Sequence, residues 1–79
     1  MIDANLICEK LADLEHEQWI QWSKTIAERE PISEETKKRW EKYWVPYSEL
    51  TEEVKEYDRK WARKAMAIIL EQIEVDDGD

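Results

Sequence analysis

Phenylalanine is absent from this 79-residue sequence, and glycine, cysteine and histidine occur once each. The single glycine, Gly78, excludes a glycine-rich phosphate loop. The single cysteine, Cys8, excludes an internal disulfide, so the fold rests on packing, as suits a reducing cytoplasm. Its thiol reads as a packing group on a helix face, because no catalytic partner stands near it. No run of 18 apolar residues occurs, which argues against a membrane-spanning helix. The first residues lack the basic flank and apolar core of a signal peptide. Positive charge is also short: 12 Lys and Arg face 20 Asp and Glu, for a net charge of -8. A nucleic-acid backbone is repelled by such a surface, and no basic stripe compensates.

Catalytic constellations are missing too. His16 has only Asp13 and Glu17 beside it, too little for a metal site. Ser23, Ser33 and Ser48 have no neighbouring histidine, and Cys8 stands two helical turns from His16. The sequence therefore predicts a non-enzymatic protein with no metal and no cofactor.

What is present is a helical pattern. With 42% hydrophobic and 41% charged residues, the chain is too apolar for disorder and too charged for a membrane interior. At this length one small core is expected, burying roughly 60 to 65% of the unfolded surface. A first helix is predicted from about Asn5 to Arg29, with Ile7, Leu11, Leu14, Trp19, Trp22 and Ile26 at helical spacing and Asp3 or Asn5 as cap. Pro31 ends it. A second runs from about Glu34 to Tyr43, capped by Ser33, with acidic residues in its first turn and Lys37, Lys38, Arg39 and Lys42 later, as the helix dipole favours. Pro46 stops it.

A third helix follows the cap Thr51 and is predicted to reach about Glu74, carrying Val54, Tyr57, Trp61, Ala65, Ile68, Ile69 and Ile73 on an inward stripe. Between the last two helices, the apolar Val45-Pro46-Tyr47 connector with Leu50 is predicted to fold down onto the core. The expectation is an all-α, three-helix domain over residues 1–75 and a frayed acidic tail over residues 76–79.

Two features stand out. The first is five tryptophans, Trp19, Trp22, Trp40, Trp44 and Trp61. A core this small hides two or three of them, which leaves others for an interface, with Trp22 and Trp40 as candidates. The second is Asp58, one turn from both Val54 and Trp61 and so leaning inward, where a carboxylate needs a partner. The connector is one candidate partner, and His16 another.

These residues together resemble the RyR domain, the small repeat module named from ryanodine receptors. The resemblance is carried by Leu11-Ala12 with His16 and Trp19, by Val45-Pro46-Tyr47 with Leu50, and by Lys55, Tyr57, Asp58 and Arg59. It covers most of residues 8–72. The segment from Pro31 to Trp44 departs from the receptor repeats in lacking glycine. The resemblance implies a mainly helical, non-enzymatic module that packs against other protein domains, and it implies neither an ion channel nor regulatory phosphorylation. In bacterial relatives it implies a nucleotide-derived ligand. It nominates His16, Trp19, Tyr47, Lys55, Asp58 and Arg59 as ligand-binding residues.

Two functions follow as expectations. The first is a protein-interaction module that self-associates as a homodimer, an apolar patch ringed by charge. The second is a binding domain for a nucleotide-like small molecule, with Trp19 or Tyr47 stacking on the base and Lys55 with Arg59 meeting the phosphates.

Overall fold

Local capping sets the element boundaries in the computed structural model, which describes residues 2–77 and the side chains of residues 2–73. Asp3 accepts from the Leu6 amide at 3.1 Å and opens helix α1, Ala4–Arg29. Ser33 accepts from the Thr36 amide and opens α2, Glu34–Glu41. Thr51 Oγ1 accepts from the Val54 amide ahead of α3, Glu52–Asp77. Each cap satisfies a donor that the first helical turn leaves free. No strand occurs among the described residues.

The ends of the elements differ from the sequence expectation in two places. Helix α2 stops at Glu41 rather than Tyr43, because the next amides bond three residues back, Tyr43 to Trp40 and Trp44 to Glu41, as the chain tightens toward Pro46. Helix α3 passes Glu74 and takes in Asp76 and Asp77, which the sequence assigned to a tail. Gly78 and Asp79 lie outside the described residues.

Helices α1 and α3 form the frame, packed antiparallel. His16 faces Asp58, Glu9 faces Arg59, and the first turn of α1 reaches Met66 and Leu70. Ala12 and Ala62 meet at the centre, both buried, so the backbones approach closely. The connector is a 3-10 turn, Tyr47–Glu49, and Tyr47 and Leu50 are buried with the two alanines. Cys8, Leu11, Tyr43, Val45 and Val54 pack around them.

Helix α2 hangs on the far half of α1 through aromatic contacts. Trp40 meets the edge of Trp19 at 6.3 Å and leans on Trp22 at 6.0 Å. The Trp44 indole donates to Ser23 Oγ at 2.9 Å. Ser23, fully buried, in turn donates to the Trp19 carbonyl at 2.7 Å.

None of the five tryptophans is fully buried, against the two or three expected: Trp19, Trp40 and Trp44 are half-buried, and Trp22 and Trp61 are exposed. The stripe predicted to face inward on α3 splits. Only its Val54 and Ala65 are half-buried, while Tyr57, Trp61, Ile68, Ile69 and Ile73 are exposed. Ala62 and Met66 take the inward positions instead. A lateral helix alone cannot cover both sides of α3, and α1 covers one.

The molecule is consequently long. Its radius of gyration is 16.1 Å, where a compact chain of this size has about 12 Å. Its accessible surface is 6510 Å², about 1,400 Å² more than size scaling gives.

Candidate functional site: an aromatic groove over His16 and Asp58

The six residues nominated from sequence fall into two clusters. His16, Trp19 and Asp58 line one groove of about 250 Å³, together with Tyr43, Val54 and Tyr57. Tyr47, Lys55 and Arg59 belong to the other cluster, a polar lock around Glu9.

His16 is the hinge between them. It is buried, and its Nε2 lies 2.7 Å from the Val45 carbonyl oxygen. A carbonyl only accepts, so Nε2 carries the proton. In the neutral ring Nδ1 is then a bare lone pair, and it faces Asp58 Oδ2 at 3.7 Å. Asp58 is mostly buried, and no hydrogen-bond donor closer than His16 meets it among the described residues. Burial pushes its carboxyl above the usual range; the His16 ring opposes this and the Glu15 charge adds to it. Asp58 thus sits beside His16 and not on the connector. The group that pins the connector is His16.

Aromatic rings form the walls. Trp19 stacks on His16 with centroids 6.0 Å apart and meets the edge of Tyr43 at 6.3 Å. Tyr57 lines the open side and is 69% exposed, so packing holds little of its ring. Three other rings in the molecule already carry a lysine over them: Trp44 with Lys24, Tyr47 with Lys55, and Trp61 with Lys64. Among the described residues, Trp19, Tyr43 and Tyr57 carry none.

The second cluster is saturated. Glu9 accepts from the Tyr47 hydroxyl at 3.0 Å and from Arg59 Nε and Nη2 in a two-pronged pair. Arg59 also meets Glu52 at 2.7 Å and Glu56 at 3.3 Å, and Lys55 meets Glu52 at 3.5 Å. Arg59 holds the Glu9 carboxyl below its usual range, with a smaller push from Tyr47. Burial and the Glu9 bond push the Tyr47 phenol up to about 12. The Glu9 and Glu52 carboxylates raise Arg59 further above an already high value. An anionic phosphate gains a place beside Arg59 only by displacing carboxylates.

Sequence reasoning missed Tyr43, Tyr57 and Glu15 at the groove and Glu9 at the lock. Tyr57 had a signal, its place next to Asp58 within the nominated segment. Glu9 had none, since its partner Arg59 is 50 residues away. Of the interface candidates, Trp22 is exposed and Trp40 is half-buried beneath it. No group of three or more His, Cys, Asp or Glu able to hold a metal occurs among the described residues. No helix among them is long and apolar enough to cross a membrane.

No protein-family model, curated protein or solved structure matches this chain.

Proposed function

We propose that the chain is a non-enzymatic interaction module that self-associates through the exposed side of α3, in a reducing compartment such as the cytoplasm. The observation that carries this reading is the exposed apolar series Trp61, Ile68, Ile69 and Ile73 on one helix. The surface in excess of a compact monomer is larger than the roughly 800 Å² that each partner commits to a standard interface.

A second copy of the chain fits this face by charge. Lys60, Arg63 and Lys64 precede Ile68, and from Glu71 onward every charged residue is acidic. An antiparallel pairing about a two-fold axis near Ile68 sets the basic half of each helix against the acidic half of the other. It also places Trp61 against the end of the partner helix, where α1 no longer covers α3. The resemblance to RyR-type modules, which pack against protein domains, supports the same reading. The alternative of a nucleotide-derived ligand loses the cations it needed, since Lys55 and Arg59 are paired with carboxylates.

Light-scattering mass of the wild type against Ile68→Glu tests this. A dimeric wild type and a monomeric Ile68→Glu of unchanged helicity are expected. A monomeric wild type overturns the proposal. So does an Ile68→Glu dimer that Trp22→Ser dissociates, because association then lies at the Trp22 and Trp40 end.

A further inference from the structure

We infer that the groove formed by Trp19, Tyr43 and Tyr57 over Asp58 is a binding site for an alkylated ammonium group. The argument is independent of self-association, whose surface lies further along α3.

Three aromatic rings and one carboxylate are elements that recognise a greasy cation. An aromatic face attracts a cation, and the attraction grows as water is excluded. Asp58 supplies a full charge at the floor of the groove, with Glu15 adding to the same field. His16 Nδ1 lies 3.7 Å from Asp58, and no hydrogen bond among the described residues reaches that carboxylate. A net charge of -8 further favours a cation over an anion.

The lining selects among cations. An unmodified ammonium brings three N–H donors, and the groove offers one carboxylate and otherwise mostly carbon. An alkylated nitrogen brings no more than one or two donors and a hydrocarbon coat that matches the rings. The open side at Tyr57 leaves an exit for a chain attached to the nitrogen.

Titration of the full chain with choline, followed by the indole N–H signals in two-dimensional NMR, tests the inference. The Trp19 signal is expected to shift saturably in the millimolar range or below. The neutral carbon isostere 3,3-dimethylbutan-1-ol should bind about tenfold more weakly. Asp58→Asn keeps the shape and should weaken choline by a similar factor, and Tyr57→Ser should abolish the shift while the circular dichroism spectrum stays that of the wild type. Equal binding of choline and its neutral isostere, unchanged affinity in Asp58→Asn, or no saturable shift overturns the inference. A trimethyl-lysine peptide run alongside separates the sources: tighter binding than choline assigns the cation to a protein side chain, and weaker binding to a free solute.

Discussion

Trp44 and Ser23, 21 residues apart, join helix α2's exit to the middle of α1 through one hydrogen bond of 2.9 Å. The Ser23 hydroxyl uses its own proton on the Trp19 carbonyl, so it is free to accept from the indole. That single serine relates the two half-buried rings on which α2 is seated.

Ser23→Ala should therefore loosen α2 specifically. Leaving the Trp44 N–H without a partner costs about 1–3 kcal/mol. Urea unfolding followed by tryptophan fluorescence reads the loss, and a midpoint equal to that of the wild type contradicts the bond's role.

The Glu9 lock predicts an acid dependence. Because Arg59 lowers the folded-state value of Glu9, its contribution is present above the ordinary carboxylate range and is lost as pH falls through the lowered value. Denaturant midpoints measured from neutral pH to strong acid should fall less steeply in Glu9→Gln.

Tyr47 gives the opposite sign. Its folded value is pushed up to about 12, so its stabilisation is complete below the ordinary tyrosine value of about 10 and disappears as pH rises through the folded one. Ultraviolet absorbance should show a late phenol ionisation that Tyr47→Phe removes.

Asp58 also has a raised folded value. Folding with this carboxylate ionised is therefore penalised, and Asp58→Asn should raise the denaturation midpoint at neutral pH, with the difference vanishing in acid. The titratable groups facing it are His16 and Glu15 from α1, Tyr43 from the segment after α2, and Tyr57 on α3. Lys55 is turned to Glu52 and the Tyr47 ring.

Much of the frame was legible in the sequence because it is local. Ser33 and Thr51 cap helices whose first turns they begin, and the spacing of Asp58 from Val54 and Trp61 turned it inward. The outer side of α3 was not legible. Tyr57, Trp61 and Ile68 recur at helical steps, and such a pattern reports an apolar face without saying whether another element covers it. The lock was hidden for a different reason. Lys55 and Arg59 read as free cations in sequence, and their long side chains find Glu9 and Glu52 only once the helices are packed.

Helix α3 outruns α1 by nearly two turns, about 10 Å of rod. Leu70 and Ile73 toward this end are exposed, and a helix that packs so little is marginal by itself. Mass action then enters the folding equilibrium: thermal melting should shift upward as the protein is concentrated, and dilution should unwind this end first.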